Sequence, residues 1–535
     1  MSNKDNFKYN YKLWKKTSDL YVNWVADTEL RDFFSKNIKF RNLSLWWTTD
    51  ICRKDNMLEN QWFIDLKERF FQNRNKKFNR AKFTFTLVLK FFKNFIIDLL
   101  WYSTVKLFSF TRYKNIKDRS NCFHSINYNF FKEDNYNYDR CFGNAHLKFY
   151  NKNFFLISVI RRKKIFVELF KKKQIKKEIP FVISDEFVSI KDILEVYFKS
   201  FLFFFKLKKF LKQNKKLFFI KRKDCVNILE PLLLSSFSGN IQSQLLIGLS
   251  VKKFIKKNNI KNFFTYSEFN PGVRSIYTFI RNGSSSTKII SVQHGHSNEN
   301  LMFFKHKMKE FTKKTSNEGG FYSPAPDLYL TQGKQFTTIL EKYFPRKIKI
   351  IGCLKYDIFN FKQKRKNKKL SKINIKNKKI ILLCPSIGDD DYLLKYLELI
   401  VNKEFIYILS PHPAYRRVII KKYLAALENK CDIRIYENFT TNELLNISDF
   451  IICGFSTVAY EALFVGVKPI RAIDPSLPQF FDLRDKVPFA ANHQILNSQL
   501  KNYKLNNKLS LANYIKKYYF HRLDNNSKSR FWKAL

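Results

Sequence analysis

Asp449-Phe450-Ile451-Ile452-Cys453-Gly454-Phe455-Ser456-Thr457-Val458-Ala459-Tyr460-Glu461-Ala462-Leu463-Phe464 is the stretch on which the fold turns. Its opening run is apolar without alternation, as in a strand covered on both faces of a parallel sheet. Gly454 breaks the run, Ser456 and Thr457 are residues that start helices, and the remainder favours a helix. The same grammar recurs on both sides. Strands are predicted at Phe263–Ser267, Lys288–Gln293, Asp327–Thr331, Lys347–Ile351, Lys379–Cys384, Phe405–Leu409, Asp432–Tyr436, Asp449–Cys453 and Lys468–Ile473. Helices are predicted at Val273–Arg281, Gln335–Tyr343, Tyr392–Val401, Tyr415–Glu428 and Thr457–Phe464. Alternation of this kind implies an α/β fold of βαβ units, with parallel sheets covered by helices.

Residues 361–379 hold ten Lys or Arg and no acid, which reads as a solvated linker; a nucleic-acid or phosphate-binding arm is the alternative. The expected organisation is a first half over 1–360, a basic linker over 361–378 and a second half over 379–535. Within the first half, residues 1–225 read as an irregular, helix-rich elaboration with strand-like runs only at Phe40–Trp47 and Phe154–Ile160. Two doubly wound Rossmann-type domains facing a cleft are the predicted architecture, with ligand chemistry at the carboxyl ends of the strands.

Composition sets the bounds. A chain of 535 residues with 45% hydrophobic and 17% aromatic content can fill more than one core. Lys and Arg outnumber Asp and Glu by 54. The 58 Phe and the scarcity of Gly and Pro, at 13 each, supply a plain cause in compositional drift. The basic residues are spread along the chain and no nucleic-acid module is recognisable, so nucleic acid is an unlikely partner. The eight Cys form no CxxC pair, which excludes a zinc ribbon or a disulfide scaffold. The polar start Met1-Ser2-Asn3-Lys4 lacks a secretory signal, and a cytoplasmic location is expected.

Two segments approach membrane-helix composition without reaching it. Phe83–Phe110 carries Lys90, Asn94 and Asp98 at every fourth residue, which reads as the polar stripe of an amphipathic helix. Val196–Ile220 mixes Phe201-Leu202-Phe203-Phe204-Phe205 with seven lysines. A core helix with a solvated lysine face fits this second segment, and so does peripheral contact with an anionic membrane surface at the inner face of the cell membrane.

Four clusters bear chemistry. Gln293-His294-Gly295-His296 follows a strand, and imidazole suits proton transfer at neutral pH; a His satisfied by loop carbonyls is the bland alternative. In Ser410-Pro411-His412-Pro413, two prolines fix the backbone around the ring, as a ligand contact or a rigid helix-capping turn would need. The Gly454, Ser456 and Thr457 turn places hydroxyls and unpaired helix amides where an anion is welcome, and Glu461 lies one turn on; ordinary N-capping is the alternative. Asp389-Asp390-Asp391 reads as a helix start rather than a metal site, so no metal and no cofactor are expected.

Taken in order, Gln293-His294-Gly295, Asp327-Leu328-Tyr329-Leu330 with Gly333, Ile351-Gly352-Cys353-Leu354-Lys355-Tyr356-Asp357, Pro385, His412-Pro413 and Ser456-Thr457 with Glu461-Ala462 resemble surface-polysaccharide glycosyltransferases of the GT-B fold. Capsule Kdo transferases, CDP-glycerol glycerophosphotransferases and sialyltransferases are the neighbours, with O-antigen type surface carbohydrate proteins closest. Ser44-Leu45-Trp46-Trp47, Asn56 and Trp62 extend the likeness, which is good over about residues 261–475. The resemblance implies a metal-independent transferase. A nucleotide-sugar donor would lie on His412, Pro413, Gly454, Ser456, Thr457 and Glu461 of the second half. Gln293, His294 and Gly295 would line the acceptor side, with His294 as the catalytic base, and the acceptor would be a growing polysaccharide or a lipid-linked saccharide. Cys353-Leu354-Lys355 departs from relatives that carry Pro and Arg there. Competing readings are a sugar-nucleotide epimerase of similar fold, a non-catalytic membrane-surface protein and a nucleic-acid-binding protein.

Overall fold

The computed structural model describes residues 3–54, 60–72, 79–108, 119–126, 139, 141–159, 180–266, 271–283, 286–295, 298–307, 310, 325–344, 347–357, 378–386, 389–412, 416–436, 439–474, 486–503 and 508–535. Asn56, His296, Pro413 and the basic stretch 361–377 lie outside the described residues.

Two parallel sheets organise the chain. The first has seven strands: β1 (Asn121–Ile126), β2 (Asn153–Ser158), β3 (Phe181–Ile183), β4 (Asn262–Tyr266), β5 (Lys288–Val292), β6 (Leu328–Thr331) and β7 (Lys347–Ile350). Their spatial order is β7-β6-β5-β4-β1-β2-β3, with every neighbouring pair parallel. The second sheet has six: β8 (Lys379–Cys384), β9 (Phe405–Leu409), β10 (Asp432–Arg434), β11 (Phe450–Cys453), β12 (Lys468–Ala472) and β13 (Phe489–Ala490). These run β10-β9-β8-β11-β12-β13, again all parallel. Each sheet grows outward from its first strand in both directions, which is the doubly wound order. The α/β expectation therefore holds for both halves.

The first sheet reaches further back along the chain than its pattern suggested. β1 and β3 lie inside the stretch that reads as irregular elaboration. Asn121-Cys122-Phe123-His124-Ser125-Ile126 hides as a strand because half of it is polar, yet it is buried throughout. Its polar groups are satisfied sideways. Asn121 bridges Asn153 and Asn262 at 2.9 Å each, and His124 reaches Ser158 at 2.8 Å and Thr265 at 3.3 Å. Burial lowers the His124 pKa to about 4, which keeps the ring neutral. Phe40–Trp47, in contrast, is not one continuous strand but holds parts of two two-residue strands, Lys39–Phe40 and Leu43–Ser44. Arg41 and Asn42 take φ of 46° and 67°, closing a tight turn between Lys39–Phe40 and Leu43–Ser44. Leu45–Thr48 then winds into a 3-10 turn capped by the Ser44 hydroxyl.

Helices cover the sheets. Over the second sheet, Leu393 and Leu397 from one helix (Asp390–Leu397) and Tyr423 and Leu427 from another (Arg416–Leu427) pack with Ile381, Leu383, Leu409 and Ile452. Each fully buried side chain of this size stabilises the unit by roughly 1.5–3 kcal/mol.

One compact unit comprises residues 17–294, 302–358 and 523–535; the other comprises 1–16, 295–301 and 359–522. The final helix, Ser527–Lys533, thus belongs with the first sheet. Phe531 sits 6.3 Å from the Phe123 ring and 5.2 Å from that of Phe264. Trp532 donates to the Ala145 carbonyl at 2.8 Å. Asp357 caps the helix start by accepting from the amides of Ser527 (3.1 Å) and Lys528 (2.7 Å). Gly352, at φ 88°, has Ser527 and Arg530 where a side chain would go.

Two further features belong to the first unit. Lys54, fully buried, donates to both Glu310 oxygens (2.8 and 3.0 Å) and to the Lys305 carbonyl (2.7 Å). His306 stands between Lys54 and Arg274, at 3.3 and 3.2 Å. The second feature is a pair of long helices, α1 (Arg80–Phe108) and α2 (Ile190–Gln213). A capping box starts α2: the Ser189 hydroxyl accepts from the Asp192 amide, and the Asp192 carboxylate accepts from the Ser189 amide. Of the stripe Lys90, Asn94 and Asp98 on α1, Lys90 is exposed, whereas Asn94 and Asp98 turn inward. Asn94 donates to the Ser238 carbonyl at 2.6 Å, and buried Asp98 accepts from the Tyr197 hydroxyl at 2.9 Å. Among the described residues no helix is long and apolar enough to cross a membrane.

Candidate functional site

In a doubly wound sheet the strands on either side of the starting strand carry their connections to opposite faces, which opens a crevice at the carboxyl edge. In the second sheet that place lies between β8 and β11. Pro385 and Ser386 leave β8 there, and Gly454, Phe455, Ser456 and Thr457 leave β11 and lead into a helix over Val458–Val465. Ser410, Pro411 and His412 leave β9 at the same edge. The His412 amide donates to the Pro385 carbonyl at 2.9 Å, and Ser410 donates to Leu383 at 2.8 Å. This fastens the histidine turn to the end of β8. The His412 side chain is exposed, Ser456 and Thr457 are half-buried, and Gly454 is buried. Glu461 is nearly buried one turn into the helix. Five of the residues singled out in the sequence therefore share one sheet edge in one unit.

Two residues shape this edge that the sequence did not assign to it: Arg471, which it did not single out, and Asp389, which it read as part of a helix start. Arg471, on β12, is fully buried and donates to the carbonyls of Gly454 (2.6 Å) and Ser456 (3.1 Å). Its guanidinium lies 4.9 Å over the Tyr460 ring. With those two carbonyls drawn inward, the trans peptides turn the amides of Phe455 and Thr457 away from the cation. A buried positive charge thus stands behind the turn, whose Gly454 and Phe455 amides meet the buried Asp389 carboxyl; the Thr457 amide and the Ser456 and Thr457 hydroxyls are the groups suited to an anion.

Asp389 is the other. It occupies the N-cap position of the Asp390–Leu397 helix but makes no capping hydrogen bond. Its Oδ1 accepts from the Ser386 amide, and its carboxyl lies against Gly454. Burial raises its pKa to about 7, against the opposing pull of the Ser386, Phe455 and Gly454 amides. The carboxyl is therefore poised between neutral and ionised near physiological pH. Asp390 and Asp391 behave as the sequence suggested, at the helix start, and both pair with Lys422. Among the described residues no group of three His, Cys, Asp or Glu could hold a metal ion.

In the first unit, the Gln293 side chain ties two loops together. Its Oε1 accepts from the Gln332 amide at 2.8 Å, its own carbonyl accepts from Gln332 Nε2 at 3.0 Å, and its amide donates to Leu330. His294, half-buried, places its ring 5.4 Å from that of Tyr266 at the end of β4. The Tyr266 hydroxyl accepts from the Ile126 amide at 2.9 Å and lies 3.2 Å from Ser125 Oγ. Ser125 in turn donates to fully buried Asp139 at 2.6 Å. This chain of polar groups sits at the β1–β4 junction, the switch point of the first sheet. Gly295 needs neither a left-handed φ nor a close neighbour; a Cβ there would meet open space.

No protein-family model matches this sequence, and no curated protein matches it. Among solved structures the chain is similar to a putative UDP-N-acetylglucosamine 2-epimerase from Listeria monocytogenes, at 11% identity and a TM-score of 0.45, over 78% of this chain and 95% of that one. It is similar to the wall teichoic acid polymerase TagF with CDPG, at 13% identity and a TM-score of 0.42, over 85% and 97%. It is similar also to the UDP-GlcNAc 2-epimerase from Neisseria meningitidis bound to UDP-GlcNAc, at 9% identity and 0.43, over 77% and 98%.

Proposed function

We propose that this chain is a glycosyltransferase of GT-B type. It would move a sugar or sugar-like group from a nucleotide-activated donor, CMP- or CDP-linked, to a growing surface polysaccharide or lipid-linked saccharide. The observation that carries the reading is the second sheet's switch point, where Ser456, Thr457 and His412 share the carboxyl edge and buried Arg471 orients the turn. The second sheet and its helices, within residues 379–522, would supply the donor domain. The donor phosphate would accept from the Thr457 amide and from the hydroxyls of Ser456 and Thr457. The Arg471 charge and the helix terminus would favour the negative charge that builds on the departing nucleotide. His412 and Pro413 would flank the nucleotide, and Glu461 would meet a sugar hydroxyl. An acceptor hydroxyl would attack the anomeric carbon, and His294 would take its proton.

Nucleotide-induced thermal stabilisation tests the donor half. A ligand that binds only the folded state raises the melting temperature. CMP or CDP is expected to do so for the wild type and for His294→Ala, and not for His412→Ala or Ser456→Ala. A folded wild type that none of CMP, CDP and UDP stabilises would refute the reading.

A further inference from the structure

Helix α1 is built inside out. Its polar residues Asn94 and Asp98 point into the unit. Phe85, Leu89, Phe92, Ile96, Leu100 and Leu107, in steps of three, four and seven residues, form one stripe that points away from it, and all six are at least half exposed. Helix α2 lies alongside, with Tyr197 5.2 Å from Phe91 and 5.0 Å from Phe95. It adds exposed Leu194, Phe198 (65% exposed), Leu202 and Phe205, and the two sets join through Phe201, 6.4 Å from the Phe92 ring and 4.9 Å from that of Phe205. A core explains none of these ten side chains, and water is a poor medium for so large a patch.

Charge identifies the occupant. Exposed Lys82, Lys93 and Lys106 border the stripe on α1, and exposed Lys191, Lys209 and Lys212 border it on α2. Where α1 begins beside the end of α2, a groove of about 550 Å³ has apolar walls of Ala81, Phe85 and Val88, with Arg80 and Lys208 among its lining. An apolar stripe edged by cations on a helix too polar to span is the pattern of a helix lying at a bilayer interface. A second copy of this chain seated there would set lysine rows against lysine rows. We propose that the paired outer faces of α1 and α2 dock this protein on an anionic lipid bilayer, the apolar stripes entering the acyl boundary and the flanking lysines meeting lipid phosphates. The inference stands independently of the transferase reading.

Vesicle flotation of the full chain at physiological salt tests it. Wild type is expected to float with phosphatidylcholine–phosphatidylglycerol vesicles and about tenfold less with phosphatidylcholine alone. The triple variant Leu89→Gln, Ile96→Gln, Phe198→Gln is expected to lose about tenfold in partitioning. The solvent-side variant Lys82→Glu, Lys93→Glu, Lys209→Glu, which disturbs no packing, is expected to lose about as much on the anionic vesicles. Equal flotation on both vesicle types, failure of the wild type to float, or variants that partition like the wild type would overturn the proposal. So would a dimer by light scattering that the apolar triple variant converts to a monomer.

Discussion

The Asp389 side chain fills the space that any residue larger than glycine would need at position 454. The helix that follows β8 and the turn that follows β11 are thereby locked at van der Waals contact.

Gly454→Ala is expected to destabilise the second unit by about 1–3 kcal/mol through overpacking. In an Asp389→Ala background the same substitution should cost far less. Denaturant titration of the four proteins of the cycle measures the coupling, and equal costs in both backgrounds would contradict the packing described.

Asp389 also sets a pH dependence. An ordinary Asp titrates near 3.9 when unfolded, and here the folded value is raised to about 7. Between those values the folded protein holds a proton that the unfolded chain has released. Its contribution is therefore complete below about pH 4 and is lost as pH rises toward 7, by up to about 4 kcal/mol. Asp389→Asn, which mimics the neutral acid, is expected to flatten this slope in melts run from pH 5 to 8.

Arg471→Met leaves the carbonyls of Gly454 and Ser456 without their donor. A loss of about 3 kcal/mol is expected, along with loss of any nucleotide-induced rise in melting temperature. Arg471→Lys keeps the charge but not the planar fork, so it should restore stability only in part. Isothermal titration beside thermal melts separates the two effects.

In the first unit, Glu310→Gln strands the Lys54 ammonium in the interior. Burial already lowers the Lys54 pKa, and the Glu310 charge opposes that. Breaking such a pair from one side costs about 3–5 kcal/mol. Lys54→Met with Glu310→Gln together should recover much of that loss in chemical denaturation.

The central strands β8, β9 and β11 of the second sheet are legible because they are apolar runs followed by Pro385, Ser410 and Gly454; the two-residue edge strand β13, Phe489–Ala490, is too short to give a pattern. The switch-point turn was visible as Gly454, Ser456 and Thr457 for that reason. β1 escaped because Asn121, His124 and Ser125 read as surface residues. Residues distant in sequence supply the partners: Asn153 for Asn121, Ser158 and Thr265 for His124, and Asp139 and Tyr266 for Ser125. Arg471 escaped for a related reason: a cation within a strand reads as solvent-facing. Its flanks Ile470 and Ala472, both buried, were the available signal. Asp389 was concealed by its neighbours, since three consecutive acids share one pattern while only the first turns inward. On α1 the four-residue spacing of Asn94 and Asp98 gave the helix but not its orientation, because periodicity locates a stripe without saying which medium it meets.

Phe531 and Trp532 close over Phe123 and Phe264 from a helix encoded at the far end of the chain. During vectorial synthesis the ribosome delivers β1 well before this cover. The earlier-made half therefore spends most of translation with an aromatic seam open, and it finishes after the half that follows it. Nascent chains stalled before residue 527 should recruit holdase chaperones at this seam, while full-length release should displace them.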